Sequence, residues 1–222
     1  MKNLLISGAL GGLGSPMTDY FSSNGYQVLG TTSLSNTGTN SKNIKYYPIN
    51  LIDENATNQL IKKLKKEYKN LDAAILLAGG FAVNNLYNAK LSDYEHMIKL
   101  NFFTAINLIN PVHKWLKETG GGDIFMIGSR PLFEGSSGEI LPYTLSKSLL
   151  LQLTHSLNES STKNNVFTSL IVPGTIDTII NRQQIPDADF TQWTKPRNIT
   201  HKIHEMIKQK DISLKKSVIK LY

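Results

Sequence analysis

Apolar, strand-like segments alternate with helical patterns along almost the whole chain, and this alternation restricts the fold more than any other feature of the sequence. The strand-like segments are Lys2–Ser7, Gln27–Thr31, Ile44–Asn50, Leu71–Leu77, Asp123–Ile127, Val166–Val172 and Ser217–Tyr222. The helical patterns are Pro16–Asn24, Asn55–Tyr68, Leu91–Glu118, Pro142–Glu159 and Thr200–Lys208. Continuous apolar runs are typical of parallel strands buried on both faces, and the helices between them supply right-handed crossovers. We therefore expect one α/β domain over residues 1–222, with a doubly wound parallel sheet of about seven strands.

A glycine-rich turn follows the first strand directly. Leu4–Ile6 lead into Ser7-Gly8-Ala9-Leu10-Gly11-Gly12-Leu13-Gly14, and Pro16 is tolerated in the first turn of a helix. Strand, glycine turn and helix start are the parts of a Rossmann-type dinucleotide site, where the backbone approaches a diphosphate. The spacing Gly8, Gly12, Gly14 differs from the common G-x-G-x-x-G pattern. A flexible amino-terminal segment is the alternative, but the buried type of the preceding strand argues against it.

Composition excludes several classes of protein. The chain has no cysteine, which excludes disulfides, thiolate catalysis and cysteine-bound zinc. Its longest uncharged apolar run, near Ala73 to Val83, is too short to cross a bilayer. The net charge of +7 comes from dispersed lysines, whereas nucleic-acid binding favours clustered arginine and exposed aromatic side chains. We expect a cytoplasmic protein that binds neither nucleic acid nor membrane.

Tyr143 and Lys147 are four residues apart in a helical pattern, so their side chains share one face. An ammonium beside a phenol stabilises the phenolate and lowers its pKa, which predicts a proton donor or acceptor that works near neutral pH. The alternative is chance spacing on an ordinary helix surface. The glycine-rich turn at the start of the chain favours the catalytic interpretation.

Other polar and aromatic groups receive simpler interpretations. Asp53 and Glu54 are expected at the start of a helix, where its dipole favours acidic groups. His201, His204 and Glu205 lack an evident further ligand, so we predict no metal site and place them on the surface. For Phe190 and Trp193, a core position and a lid over the substrate remain equally open.

These landmarks together resemble the short-chain dehydrogenases/reductases over essentially the whole chain. The matching positions, in chain order, are Gly8, Gly12 and Gly14, then Ala78-Gly79-Gly80, Asn101, Ser129 at the end of the fifth strand, Tyr143 with Lys147, and Pro173-Gly174 with Thr178. A narrower resemblance to the quinonoid dihydropteridine reductase branch rests on Asp177-Thr178, Asn181-Arg182, Pro186–Phe190 and Trp193-Thr194.

The resemblance implies reduction of a small-molecule substrate by a nicotinamide cofactor. Tyr143 would donate a proton to the substrate, and Lys147 would hold the nicotinamide ribose and tune Tyr143. Ser129 would hydrogen-bond the substrate, with a local structural hydroxyl as the alternative. Asn101 would order a water in a proton relay, with a helix kink or cap as the alternative. A non-catalytic nucleotide sensor and a carbonyl or quinone reductase of other specificity are the competing functions.

The resemblance also implies which residues bind the cofactor. They are Gly8, Leu10, Gly12, Leu13, Gly14, Thr31, Thr32, Ser33, Asn50, Leu51, Ala78, Gly79, Gly80, Tyr143, Lys147, Pro173, Gly174, Thr175, Ile176 and Thr178. Asn50 would meet the adenine. No Asp or Glu occurs between Tyr20 and Ile52 to bind a ribose 2′-hydroxyl, and Thr31, Thr32 and Ser33, with Lys42 in reach, suit a 2′-phosphate. We therefore predict NADPH over NADH, with equal use of both as the alternative.

Two further expectations concern the second half of the chain and the assembly. Residues 178–197 are irregular in composition and follow the sixth strand, so we predict a mobile substrate loop there. The assembly is expected to be a homodimer or a homotetramer.

Overall fold

A computed structural model describes residues 1–135, 137–159 and 161–222, and its centre is one parallel β-sheet. The strands are β1 (Lys2–Ser7), β2 (Tyr26–Thr32), β3 (Ile44–Pro48), β4 (Ala73–Leu76), β5 (Gly122–Ile127), β6 (Val166–Pro173) and β7 (Val218–Leu221). Their order is β3-β2-β1-β4-β5-β6-β7, and every neighbouring pair is parallel. The predicted doubly wound α/β sheet is confirmed.

Helices connect the strands and cover both faces of the sheet. They are α1 (Gly14–Ser23), α2 (Glu54–Tyr68), α3 (Leu91–Ile98), α4 (Thr104–Glu118), α5 (Leu141–Asn158), α6 (Ser161–Asn164), α7 (Ile179–Gln184) and α8 (Pro196–Lys208). A π-helical turn, Lys99–Phe103, joins α3 to α4. The described part of the chain contains no helix long and apolar enough to cross a membrane.

Alternate residues of the strands pack into two separate hydrophobic cores, one on each face of the sheet. Leu5 of β1 packs with Trp115 in the core beneath α2, α4 and α5, whereas Leu4 and Ile6 pack with Phe21 in the core beneath α1 and α8. All five side chains are fully buried, as expected for a parallel strand covered on both faces. This burial fixes the register of β1 and therefore the position of the turn that follows it.

Helix α2 shows how local sequence sets the elements. Asp53 is its N-cap, and a carboxylate oxygen accepts from the N–H of Ala56 at 2.9 Å. Glu54 lies in the first turn, near the positive end of the helix dipole. Ile61 and Leu64 are buried against the sheet while the neighbouring lysines point outward. The predicted helix-start roles of Asp53 and Glu54 are confirmed.

The structure corrects three expectations about helices. The pattern Leu91–Glu118 is interrupted by the π turn, where the chain carries an extra residue per turn. The last helix begins at Pro196, and α7 forms inside the loop expected to be irregular.

His204 is buried and not at the surface as predicted. Its Nδ1 lies 2.9 Å from the Tyr20 hydroxyl, in an aromatic cluster between α1 and α8. The α8 sequence positions His204 on the same face as Ile203 and Ile207, so it belongs to the core stripe.

Candidate active site

A groove opens at the carboxyl ends of β1, β2 and β4, where the connections diverge to opposite sides of the sheet. Such a switch point is the usual place for ligands in open α/β sheets. The groove has a volume of about 570 Å³. Its lining residues are Gly8, Leu10, Gly11, Thr31, Thr32, Ser33, Leu34, Ser35, Asn36, Ile49, Asn50, Leu51, Ile52, Ala78, Gly79, Leu100 and Thr104.

The glycine-rich turn forms one wall of the groove, and two of its glycines are required by geometry. Gly8 has φ +65°, a conformation that side chains rarely adopt. A Cβ on Gly14 would lie 2.0 Å from the carbonyl oxygen of Gly8. Helix α1 starts here without a side-chain cap at Leu13, so its first N–H groups and positive dipole end face this wall. The turn therefore fits the diphosphate of a dinucleotide.

The rim at the end of β2 is polar and carries no acidic group. Thr31 and Thr32 are buried, and Ser33 and Ser35 share a hydrogen bond of 3.2 Å. Among the described residues lining the groove, none is Asp or Glu. Lys42, predicted within reach of a 2′-phosphate, is not one of these lining residues.

A serine hydroxyl joins β1 to the segment after β4, and Ala78 and Gly79 of that segment form the floor of the groove. Ser7 Oγ accepts from the N–H groups of Leu77 at 3.0 Å and Ala78 at 3.1 Å. The next residue, Gly79, would place a Cβ 2.5 Å from Asn101 Oδ1. The floor therefore has no room for a side chain at this position.

Asn101 lies within the π turn and is almost fully buried. Its Oδ1 accepts from the N–H of Gly80 at 3.0 Å, and its Nδ2 donates to the Gly80 carbonyl at 3.1 Å. Nδ2 also lies 3.1 Å from Ser146 Oγ, which donates to the Tyr143 carbonyl. Its side chain thus connects the segment after β4 to helix α5, which favours the structural alternative for Asn101 over a side-chain contact with a relay water.

Tyr143 and Lys147 project from the first half of α5, as their spacing predicts. The Lys147 ammonium donates to the Ile127 carbonyl at 3.0 Å and lies 5.8 Å from the centre of the Tyr143 ring. The side chain is almost fully buried, and this desolvation lowers the pKa of Lys147 to about 8. A substantial fraction of Lys147 is therefore neutral at mildly alkaline pH.

The predicted lowering of the Tyr143 pKa by Lys147 does not occur. Burial raises the pKa of the Tyr143 phenol, and a hydrogen bond with Ser129 opposes that rise. Desolvation penalises the phenolate by more than the contact with Ser129 favours it. The phenol is consequently held protonated, which suits a proton donor better than a base.

Ser129 lies two residues after β5, which ends at Ile127. Its hydroxyl reaches the Tyr143 phenol across the segment that joins β5 to α5. Phe81 packs edge-on against the Tyr143 ring with centroids 5.0 Å apart, and half of the Phe81 side chain is exposed. The phenol therefore lies between a hydroxyl and an aromatic surface.

The segment after β6 borders the other side of the glycine turn. A Cβ on Gly12 would lie 3.0 Å from Thr178 Cγ2, so Thr178 touches this turn. Thr175 accepts from the N–H of Thr194, and Ile176 pairs with the same residue. Gly174 donates to Thr194 Oγ1 at 3.2 Å. These contacts hold both ends of the predicted substrate loop together.

Asp177, just before the substrate loop, forms ion pairs with two residues of the loop. Its carboxylate accepts from Arg182 at 2.5 and 3.0 Å and from Lys195 at 2.7 Å. These two cations hold the pKa of Asp177 well below its usual range, with the hydrogen bond from Arg182 contributing most. The Arg182 guanidinium also lies 4.6 Å from the centre of the Phe190 ring, and Phe190 packs on Trp193. Both aromatic side chains are half-buried, an arrangement closer to a lid than to a core.

The predicted site residues fall into two groups. Those that line the groove are Gly8, Leu10, Thr31, Thr32, Ser33, Asn50, Leu51, Ala78 and Gly79. The remainder are not lining residues of the groove: Gly12, Leu13, Gly14, Gly80, Asn101, Ser129, Tyr143, Lys147, Pro173, Gly174, Thr175, Ile176 and Thr178. Of these, Asn101, Tyr143, Lys147 and Ser129 are connected by the contacts described above.

Sequence reasoning missed several groove residues. They are Gly11, Leu34, Ser35, Asn36, Ile49, Ile52, Leu100 and Thr104. Gly11 belongs to the recognised glycine run, and Ser35 and Asn36 continue the polar stretch after β2, so both signals were present. Leu100 lies in the π turn and Thr104 is the first residue of α4, so both line the groove from the junction of these two elements. Within the described ranges, no cluster of three or more His, Asp or Glu side chains could hold a metal ion.

Comparison with known proteins agrees with this geometry. The family model described as short chain dehydrogenase matches residues 2–189. A dihydropteridine reductase of Dictyostelium discoideum is 25% identical over 210 residues, which cover 92% of this chain and 87% of that protein. A 3-oxoacyl-[acyl-carrier-protein] reductase FabG of Buchnera aphidicola subsp. Acyrthosiphon pisum is 28% identical, covering 80% of this chain and 74% of that protein. The solved structure of ElxO with NADP bound superposes with a TM-score of 0.88 at 20% identity, covering 99% and 96% of the two chains.

Proposed function

The chain belongs to the short-chain dehydrogenase family and is an NAD(P)-dependent oxidoreductase, and from this premise we propose that it reduces a conjugated imine or carbonyl, with a quinonoid dihydropteridine as the leading substrate. The observation that carries the proposal is the position of the Tyr143 phenol beside Ser129, with the buried Lys147 ammonium 5.8 Å from the centre of its ring.

Each residue of the site has a separate role in such a reduction. The nicotinamide supplies a hydride when the cofactor is bound. The Tyr143 phenol donates a proton to the substrate atom that gains electron density, and its raised pKa keeps that proton available. Ser129 orients the phenol and the substrate through its hydroxyl. Lys147 would hold the nicotinamide ribose hydroxyls, and Asn101 connects to helix α5 through Ser146.

Two observations support a flat, conjugated substrate. The half-exposed Phe81 ring stands edge-on to Tyr143 and offers an aromatic surface beside the proton donor. The dihydropteridine reductase relative also aligns over 92% of this chain. A carbonyl reductase is the second candidate, supported by the FabG relatives at up to 29% identity.

NADPH is the proposed cofactor, and its preference over NADH rests on the groove. The rim after β2 offers hydroxyls and Asn36 and no acidic side chain among the described lining residues, so nothing there repels a 2′-phosphate. The neighbouring structure of ElxO with NADP bound supports the same choice. We also propose a homodimer or homotetramer, which the molar mass in solution will test.

Oxidation of NADPH and of NADH, followed by absorbance, tests the proposal directly. Quinonoid dihydropterin should be reduced with a higher kcat/KM than a panel of ketones, quinones and acyl thioesters. Faster reduction of a panel member would favour the carbonyl reductase. Tight cofactor binding without turnover of any acceptor would favour a nucleotide sensor.

A further inference from the structure

The end of β7 contacts the segment that links Ser129 to Tyr143. This segment, residues 128–140, carries Glu134 near its middle. The Tyr222 hydroxyl donates to Glu134 Oε1 at 3.1 Å, and Lys220 Nζ lies 3.7 Å from the same oxygen. Arg130 Nη2 lies 3.4 Å from the other carboxylate oxygen. One carboxylate thus accepts one hydrogen bond and pairs with two cations, and two of these three partners come from a distant part of the chain.

Aromatic rings reinforce these polar contacts. The Arg130 guanidinium lies 5.0 Å from the centre of the Tyr222 ring, and Lys220 Nζ lies 4.5 Å from the centre of the Phe133 ring. A cation over a ring face is attracted by the ring quadrupole. Each cation therefore interacts with both the carboxylate and an aromatic ring.

The same end of β7 also contacts the turn after β6 and the end of the substrate loop. The Leu221 carbonyl accepts from Thr194 Oγ1 at 2.9 Å, and that hydroxyl accepts from the N–H of Gly174. Residues 220–222 thus contact both the segment after β5 and the residues at the turn after β6.

Few other polar contacts hold the middle of the 128–140 segment. In the described part of the chain, residues 130–135 form hydrogen bonds and ion pairs to other elements only through Lys220 and Tyr222. Ser129 lies immediately before these residues, and Tyr143 lies beyond them in α5. Movement of the segment would therefore change the distance between the two hydroxyls.

We infer that Glu134, Lys220 and Tyr222 form a brace that positions Ser129 against Tyr143 for proton transfer. The inference rests on the proposed function. These are positioning residues that act through the 128–140 segment. Surface ion pairs contribute little to stability, so the brace should influence geometry more than thermal unfolding. Misplacement of a catalytic group by about 1 Å costs up to ~10²-fold in rate, which makes a small displacement measurable.

Glu134→Gln and Tyr222→Phe test the brace in the full chain. Each should lower kcat by about ten-fold. The Kd for NADPH should stay within about two-fold, because the groove lies at β1, β2 and β4 and not at β7. Hydrogen exchange should accelerate in residues 130–135 and stay unchanged in residues 31–36. The double variant should resemble the Glu134→Gln variant, because both substitutions remove the same contact.

Glu205→Gln is the matched control, since it removes the exposed Lys202–Glu205 pair on α8. It should change neither kcat nor exchange in residues 130–135. Wild-type kcat and wild-type exchange in both brace variants would overturn the inference, as would an equal loss of kcat and NADPH affinity. If the wild-type protein reduces no acceptor, the proposed function fails, whereas the exchange measurement still decides whether the brace restrains the segment.

Discussion

The side-chain amide of Asn101 pairs with the backbone of Gly80 in both directions, accepting from its N–H at 3.0 Å and donating to its carbonyl at 3.1 Å. This is the hydrogen-bonding pattern of neighbouring backbone groups, supplied here by a side chain. It links the π turn to the floor of the groove, and Ser146 extends the link to helix α5.

Asn101→Ala should lower both stability and turnover. The substitution leaves the Gly80 N–H and carbonyl and the Ser146 hydroxyl without their partner, which we expect to cost about 2 kcal/mol in the free energy of unfolding. Turnover should fall because helix α5 loses a restraint beside Tyr143. Urea unfolding and kcat measure the two effects. The control is Asn88→Ala at an exposed turn, and equal stability of the two variants would contradict the prediction.

Tyr143→Phe should keep NADPH affinity within a few-fold and reduce kcat by ~10²-fold or more. The ring and its contact with Phe81 remain, so only the proton donor is removed. Fluorescence titration of NADPH and steady-state turnover separate binding from chemistry. Turnover close to wild type would remove the phenol from the mechanism.

Lys147 should make stability and activity respond oppositely to pH. Its pKa is about 8 in the folded protein against 10.5 for an unperturbed lysine. Between these values the unfolded state binds more protons, so stability should rise with pH across that window. Activity should decline above pH 8 if the ammonium is required, because the charge is lost there.

Lys147→Met measures the free-energy cost of burying the Lys147 ammonium. At pH 7 the variant should be more stable than the wild type by about 1–3 kcal/mol, since the cost of desolvating the buried ammonium is removed. It should also lose most of its turnover and part of its cofactor affinity. Thermal unfolding at pH 7 and pH 10 measures the change in stability, and a variant that is less stable than the wild type at pH 7 would contradict the explanation. Lys208→Met, an exposed residue of α8, is the control.

Thr32→Asp should shift the cofactor preference from NADPH toward NADH. A carboxylate at the end of β2 can accept from a ribose 2′-hydroxyl and repels a 2′-phosphate. The ratio of kcat/KM for the two cofactors should fall by at least about ten-fold. Thr32→Ser retains the hydroxyl and should leave the ratio near that of the wild type. An NADH preference in the unmodified protein would contradict the starting assumption.

Residues 178–193 of the substrate loop should exchange backbone hydrogens quickly without ligand and slowly with NADPH bound. Thr178 touches the glycine turn at Gly12, so cofactor binding is expected to restrain the loop there. Asp177→Asn weakens the pairing with Arg182 and Lys195 and should increase exchange in the free protein. Slow exchange that NADPH leaves unchanged would contradict the prediction, and Trp193 fluorescence gives an independent measurement.

The sequence predicts the strands well and the side-chain environments poorly. Parallel strands are continuous apolar runs, so the sequence pattern alone predicts both ends of β1 correctly. The π turn is not evident from the sequence pattern, because one extra residue in a long helix changes the pattern of apolar residues very little. The sequence does not reveal the burial of His204, because a histidine near lysines is typical of a protein surface.

The pKa of Tyr143 shows the same limit. Spacing places Tyr143 and Lys147 on one face, but spacing carries no information about desolvation. The raised pKa follows from the burial of the phenol in the folded protein, where Phe81 and Ser129 lie beside it.

The π turn makes the active site sensitive to deletions. Removing one residue from Lys99–Phe103 would allow a regular α-helix from Leu91 to Glu118, which is locally more favourable. The same deletion would keep α3 and α4 in phase, because the turn absorbs its extra residue locally. It would remove the widened turn that presents Asn101 to the backbone of Gly80. A length change that a surface loop absorbs without effect would therefore be disabling in these five residues.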